Sequence, residues 1–335
     1  MINKNKLVVF SGIQPSGDIT IGNYIGVLNN IIDIQNKDDK KNCIICIADL
    51  HSITSCKKIN IKDNIFKTLS LLIASGINPD KTLIFLQSKV IEHLELFWIL
   101  LCYSNFNKLS KMNKFKKLYK NESKNIKLGI LNYPVLMSSD ILLYNSNIVL
   151  VGKDQKQHLE FCKYISIKFN NEFGNVFLIP EVYIKNYSYI MSLNDCNNKM
   201  SKSDINKNNF ISLLDNNNIL FNKIKNSITD SEIPPKIYFN EIKKPGISNL
   251  IKIFSNISNT SIKEVENYMI NKSYNFLKNE LYINLSKKLG EIQEKYYFIF
   301  NEKKYLENLI VKNSLIAKNI AKKNINKIKS YINFF

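Results

Sequence analysis

The feature that most constrains this chain is an alternation in its first half. Short runs of branched apolar residues, Leu7–Ser11, Cys43–Asp49, Thr82–Ser88 and Ile148–Gly152, read as buried strands. Amphipathic stretches follow or separate them: Gly22–Gln35, Ile61–Ser75, Glu92–Tyr103 and Gln155–Phe169. Strands that alternate with helices pair in parallel through right-handed crossovers, which predicts an α/β fold with a doubly wound parallel sheet. Ligands of such sheets bind outside the carboxyl ends of the strands. The loops after Phe10, Asp49, Ser88 and Val151 are therefore the ones to read for chemistry.

Two regions depart from the alternation. Residues 104–130 are rich in lysine and asparagine and read as a helical insertion with a solvated face. Past about residue 204 the strand pattern stops. Ser212–Ile228, Ser248–Ile257, Ser261–Ile270, Phe276–Phe300 and a last stretch from Tyr305 to Ile332 have helical spacing, and Pro234-Pro235 marks a break. The predicted organisation is an α/β domain over 1–204, a helical domain over 205–300, and a final helix over 301–335 that packs back on the first domain. A chain of 335 residues is long enough for two domains.

The formal charge is +19, and all 47 basic residues are lysine. Lysine, asparagine and isoleucine together point to AT-rich codon usage, while the net charge also suits a polyanionic partner. No apolar run reaches the roughly 20 residues of a membrane span, and no signal-type segment precedes Leu7. The expectation is a soluble, cytoplasmic protein that makes no membrane contact. Of six cysteines, only Cys43 and Cys46 form a pair at close spacing, and they sit inside an apparent core strand. With no second pair at zinc spacing, no protein-bound metal is expected.

Two segments carry chemistry. Phe10-Ser11-Gly12-Ile13-Gln14-Pro15-Ser16-Gly17-Asp18-Ile19-Thr20-Ile21-Gly22-Asn23-Tyr24 joins the first strand to the first long helix. A glycine-containing loop at a helix N-terminus offers unpaired N–H groups and a positive dipole end to phosphate. It is neither a Walker A loop nor G-x-G-x-x-G, and on residue chemistry alone it is a phosphate site or a plain turn. Lys199-Met200-Ser201-Lys202-Ser203 places two lysines three apart in a polar loop, which grips a triphosphate or is one cluster among many lysines.

Taken together, the two segments resemble the paired signatures of class I aminoacyl-tRNA synthetases. Thr20-Ile21-Gly22-Asn23 stands where the class has His-Ile-Gly-His, and Lys199–Ser203 matches its K-M-S-K-S form. Thr and Asn in place of the two histidines resemble the tryptophan-specific branch. So do Asn132–Tyr144, Gly152–Glu160, Asp49–Thr54 and Thr229-Asp230-Ser231. The resemblance covers about residues 7–300. It implies a Rossmann-like catalytic domain and a helical anticodon-reading domain. The implied reaction activates L-tryptophan with ATP and then loads tRNA(Trp), magnesium being carried on the phosphates. A homodimer is also implied.

The same resemblance assigns roles. Gln14, Pro15, Ser16, Gly22 and Asn23 hold ATP, and Thr20 belongs to the same catalytic signature. Gly152 and Asp154 meet the adenosine, with Lys153 standing where the branch has Glu, and Ile190 lies against adenine. Lys199, Met200, Ser201, Lys202 and Ser203 form the pyrophosphate loop, with Lys116 as a further phosphate contact. Asp140 is the only formally charged side chain from Leu131 to Val151. The indole N–H is a donor only, so its reader must be an acceptor. The resemblance makes that reader Asp140, whereas residue chemistry alone favours a helix N-cap. Phe10, Tyr133, Met137, Gln155 and His51 complete the implied tryptophan pocket, and His158 reads as structural. The competing readings are a tyrosine-specific relative, an RNA-binding paralogue without catalysis, and a related adenylate-forming enzyme that uses no tRNA.

Overall fold

The computed structural model describes all residues except 1–5, 38–39, 56–59, 114, 117–118, 120–126, 153–154, 184–188, 203 and 335. Its centre is a five-stranded parallel sheet, ordered β3-β2-β1-β4-β5. The strands are β1 Leu7–Ile13, β2 Lys41–Ile47, β3 Thr82–Leu86, β4 Ile148–Leu150 and β5 Glu181–Tyr183. Between and after them run α1 Ile21–Asn23, α2 Asn29–Lys37, α3 Asp49–Ser52, α4 Ile61–Ala74, α5 Glu92–Tyr103, α6 Phe106–Leu109, α7 Leu128–Leu142 and α8 Lys156–Phe173.

The strands are apolar on both faces because both faces are covered. Val9, Cys43, Ile45, Ile47, Ile84 and Leu86 pack on one side with Ile25, Leu28, Leu69 and Leu72. Phe10, Ile44, Cys46, Leu83, Phe85 and Val149 pack on the other with Leu96, Leu100, Val135, Ile141 and Ile165. The order turns back at β1, with β2 on one side and β4 on the other. The chain therefore leaves β1 and β4 toward opposite directions and opens a crevice at their carboxyl ends.

The sheet has one strand more than the sequence pattern predicts. Glu181–Tyr183 is a three-residue edge strand whose burial pattern is exposed, intermediate, exposed, so it carries little apolar signal. The first long helix is also not continuous, because a π-helical turn at Tyr24–Leu28 separates α1 from α2. The predicted helix over Ser212–Ile228 shortens to α9, Asn217–Lys225, capped by the Asn216 side chain. Backbone at Ile211 and Leu213 instead bonds Ile21 and Ile19, tying this segment to the loop after β1. Within the predicted insertion the described residues include the short α6 and the start of α7.

The remaining helices are α10 Pro245–Ser258, α11 Ile262–Tyr268, α12 Tyr274–Asn301 and α13 Lys303–Tyr331. Along α12 the buried side chains Leu277, Leu281, Leu285 and Leu289 recur at a spacing of four, one stripe of an amphipathic helix. They join the same apolar cluster as α4, α9 and α10. Helix α13 lies along the β3 edge of the sheet, where its small Ala317 and Ala321 bury on the α5 side. There the Ser314 hydroxyl accepts the Leu86 N–H (3.4 Å) and the Lys329 ammonium meets Glu95 (2.9 Å). An open strand edge is thus capped by a helix.

Candidate active site

The crevice at the switch point holds a cavity of about 530 Å³, lined by the ends of β1 and β4, the loop after β1, α3, α7 and the hairpin after β5. Its rim is built by the loop after β1. Gly17 adopts φ +89°, and a Cβ there would come within 2.9 Å of the Asn64 side-chain oxygen, so only glycine turns the chain here. Thr20 then caps the helix. Its hydroxyl accepts the Asn23 N–H (3.2 Å) and donates to Asn23 Oδ1 (2.8 Å), which also accepts the Thr20 N–H (3.3 Å). The Thr–Asn pair is therefore a capping box that fixes the helix start facing the crevice.

A hairpin brings the lysine loop to the same place. The Met200 N–H bonds the Ile190 carbonyl (3.1 Å) and the Ser192 N–H bonds the Asn198 carbonyl (2.9 Å). Gly22 faces this hairpin so closely that a Cβ would sit 3.6 Å from both the Ile190 and Met200 side chains. The Lys202 ammonium donates to the Ser16 carbonyl, 186 residues away, closing the two segments on each other. Burial pushes the Lys202 ammonium below its usual pKa and Lys67 adds to that, while Asp18 opposes it. Lys199 Nζ lies over the Tyr189 ring at 5.7 Å and lines the cavity.

The floor of the crevice is polar around one carboxylate. Asp140 lies near the C-terminal end of α7, 4% exposed, so it is not a helix N-cap. Its Oδ1 accepts from Gln87 Nε2 (2.7 Å) and His93 Nδ1 (2.6 Å). Its Oδ2 accepts from His51 Nε2 (3.0 Å). A carboxylate offers about four acceptor positions, and this one lines the cavity. Burial alone would raise this carboxyl's pKa, but the hydrogen bonds and charge of His51 and His93 outweigh it and hold the group well below the usual carboxylate range.

These partners have supports of their own. Gln87 Oε1 accepts the Leu50 N–H (3.2 Å), and the Ser139 hydroxyl donates to the His93 carbonyl (2.6 Å). His93 Nε2 faces the Tyr144 hydroxyl (2.9 Å), whose ring stacks 6.0 Å from Phe10. His93 thus bridges the carboxylate at Nδ1 and the Tyr144 hydroxyl at Nε2. Burial, with the Cys46, Asp140 and Glu92 charges adding to it, pushes the Tyr144 hydroxyl well above its usual pKa.

Of the residues singled out from sequence, Phe10, His51, Tyr133, Met137, Asp140, Gln155, Gln14, Ser16, Gly22, Asn23, Gly152, Ile190 and Lys199 all line this one cavity. Pro15, Thr20 and Met200 are buried behind its wall. Ser201 and Lys202 stand at the hairpin end, and the exposed Lys116 does not line the cavity. Lys153, Asp154 and Ser203 lie outside the described residues. His158 bonds the Tyr133 hydroxyl and, at 2.8 Å, Gln155 Oε1, and so orients two lining residues. Sequence reading missed Gln87 and His93. The signal was there: both follow β3 at its carboxyl end, where ligands of this topology collect. Among the described residues no three His, Cys, Asp or Glu side chains group to hold a metal ion. No described helix is long and apolar enough to cross a membrane.

The family model of tRNA synthetases class I (W and Y) matches residues 2–290. A tryptophan–tRNA ligase of Buchnera aphidicola subsp. Schizaphis graminum is 48% identical over 99% of each chain. The crystal structure of a tryptophanyl-tRNA synthetase from Mycoplasma pneumoniae superposes with a TM-score of 0.91, at 31% identity over 98% of both chains. That of the Campylobacter jejuni synthetase, complexed with ADP and tryptophan, gives a TM-score of 0.78 at 30% identity, over 98% of this chain and all of that one.

Proposed function

Since this chain belongs to the class I tRNA synthetases for tryptophan and tyrosine, we propose that it acts as a tryptophan–tRNA ligase. The observation that carries the choice of amino acid is the buried Asp140 carboxylate, which lines the cavity with Phe10, Tyr133 and Met137 and takes two donors on Oδ1 but one on Oδ2. A bound indole N–H meets that oxygen, and a side chain without a donor there leaves a buried charge short of a partner.

In the first half-reaction a carboxylate oxygen of tryptophan attacks the α-phosphorus of ATP. The new P–O bond forms as the bond to the β-phosphate oxygen breaks, giving tryptophanyl-adenylate and pyrophosphate. Magnesium arrives with ATP on its phosphates. There is little covalent work for side chains here, so they act by positioning and by stabilising charge. Gln14, Pro15, Ser16, Gly22 and Asn23 line up the nucleotide on the capped helix start, and Ile190 meets the adenine. Gly152, Lys153 and Asp154 hold the ribose. Lys199 and Lys202, with Met200, Ser201 and Ser203 of the same hairpin and Lys116 from outside it, take the departing pyrophosphate. In the second half-reaction a terminal ribose hydroxyl of tRNA(Trp) attacks the carbonyl carbon and AMP leaves.

The division of labour is a catalytic part over 1–204, an anticodon-reading helical part over 205–300 and the returning helix beyond. The enzyme works as a homodimer in the cytoplasm, with tRNA contacts crossing between protomers. The test is aminoacylation of tRNA with labelled amino acids. Charging of tRNA(Trp) with tryptophan is expected, and a protein that binds tRNA without charging it would be the catalytically silent paralogue instead.

A further inference from the structure

Helix α10 is buried from Gly246 to Phe254, yet it carries Asn249 and Lys252 among its apolar side chains, at 2% and 4% exposure. Buried polar groups of this kind persist only where they are paired. The Asn249 amide is paired twice with one residue. Its Oδ1 accepts the Met191 N–H (2.8 Å) and its Nδ2 donates to the Met191 carbonyl (2.9 Å), the pattern of a neighbouring strand. One turn on, the Lys252 ammonium donates to the Tyr189 carbonyl (3.4 Å) and meets the Glu241 carboxylate. One turn back, Gly246 presses on the Ile228 carbonyl so closely that no Cβ fits without moving the helix. The Ile228 N–H in turn bonds the Leu193 carbonyl (2.9 Å).

Residues 246, 249 and 252 are spaced by three, on one side of a helix. Asn249 and Lys252 address the backbone of Met191 and Tyr189 directly, and Gly246 abuts Ile228, whose N–H holds Leu193 of the same segment. That segment is the strand of the hairpin that carries Lys199 and Lys202 and presents Ile190 to the nucleotide side of the cavity. The Asp140 carboxylate on the tryptophan side is held instead by His51 of α3, Gln87 after β3 and His93 of α5.

We propose that the Gly246–Asn249–Lys252 face of α10 is a rail that positions the lysine hairpin for ATP, making Asn249 and Lys252 positioning residues for activation and joining the helical half of the chain to the nucleotide site. The catalytic part of this rests on the ligase reading, whereas the placement of the hairpin stands apart from it. Asn249→Ala removes both bonds to Met191. Asn249→Asp keeps an acceptor for the N–H and sets an oxygen against the carbonyl. Lys252→Met keeps the stem and removes the ammonium. Asn256→Ala, on the same helix with its amide on the Lys252 carbonyl of its own preceding turn, is the matched control.

Two readouts separate the outcomes. In tryptophan-dependent ATP–pyrophosphate exchange, Asn249→Ala should raise the KM for ATP about tenfold or lower kcat correspondingly. Its KM for tryptophan should stay within about twofold of wild type. Asn249→Asp and Lys252→Met should shift the ATP parameters in the same direction by less, and Asn256→Ala should match wild type. Amide hydrogen exchange should rise in residues 189–202 of the Asn249 variants and stay unchanged in α7. Equal changes in both KM values, or unchanged ATP parameters with an unchanged hairpin exchange pattern, would overturn the proposal. A wild-type protein without any exchange activity would instead remove the ligase reading, and hydrogen exchange would still decide whether α10 holds the hairpin. If Asn249→Ala does not fold, Asn249→Asp and Lys252→Met carry the same comparison.

Discussion

Replacing Asp140 by asparagine isolates the charge that reads the indole. Oδ1 receives two donors and Oδ2 one. An asparagine amide therefore turns its NH2 toward the Oδ2 side, where only the His51 contact has to adjust. That is the side the indole N–H needs. The variant loses a hydrogen bond to a charged acceptor, worth about 1.5–3 kcal/mol, and opposes two donors there. At about 1.36 kcal/mol per power of ten, kcat/KM for tryptophan should fall by roughly one to two powers of ten, with the KM for ATP close to wild type. Asp140→Ala removes the acceptor for His51, His93 and Gln87 together and should lose more of the discrimination against phenylalanine. The assay is pyrophosphate exchange at varied tryptophan and phenylalanine, on protein shown by melting to be folded. Wild-type kcat/KM for tryptophan in Asp140→Ala would show that Asp140 does not read the indole, and Gln155 would become the first candidate acceptor. The carboxyl also leaves a pH signature. Its folded pKa is held below the unfolded value of 3.8, so its stabilising contribution is present above about pH 4 and is lost as pH falls through the lowered folded value. The gap in stability between wild type and Asp140→Asn should accordingly narrow as the solution is acidified below pH 4.

Lys202→Ala should slow single-turnover adenylate formation by the equivalent of about 2–4 kcal/mol while leaving tryptophan affinity nearly intact, since the ammonium acts on the leaving pyrophosphate. An unchanged rate would return this lysine to the solvated surface. Elemental analysis of purified protein should find no stoichiometric zinc or iron, because Cys43 and Cys46 are buried in β2 within the core; about one metal per chain would count against this. Binding of tRNA should weaken steeply between low and physiological salt, since phosphate contacts rest on lysine point charges without arginine. A salt-insensitive affinity would require recognition by uncharged contacts.

The sheet was legible because strands covered on both faces are unbroken apolar runs, and the helical half because leucines such as Leu277, Leu281 and Leu285 repeat at one helical spacing. Strand β5 was not, since three half-exposed residues at an edge carry no such run. The π turn at Tyr24–Leu28 leaves the apolar pattern unchanged and so left no mark in the sequence. Asp140 stood out as a lone charge in an apolar stretch. Its partner His93 did not, because a contact between helices α5 and α7, 47 residues apart in the chain, has no local periodicity. Lys199 and Lys202 would have been lost among 47 basic residues on composition alone. They became visible through the resemblance of their loop to a known signature. What the sequence could not state is how that loop is carried, by a hairpin held from Asn249 on one side and reaching Ser16 on the other.

Amino-acid-dependent ATP–pyrophosphate exchange with all twenty amino acids measures directly whether the crevice activates one amino acid. Exchange with tryptophan alone, dependent on Mg²⁺, is the predicted result. Exchange with tyrosine equal to or above that with tryptophan, or no exchange with any amino acid, would contradict it.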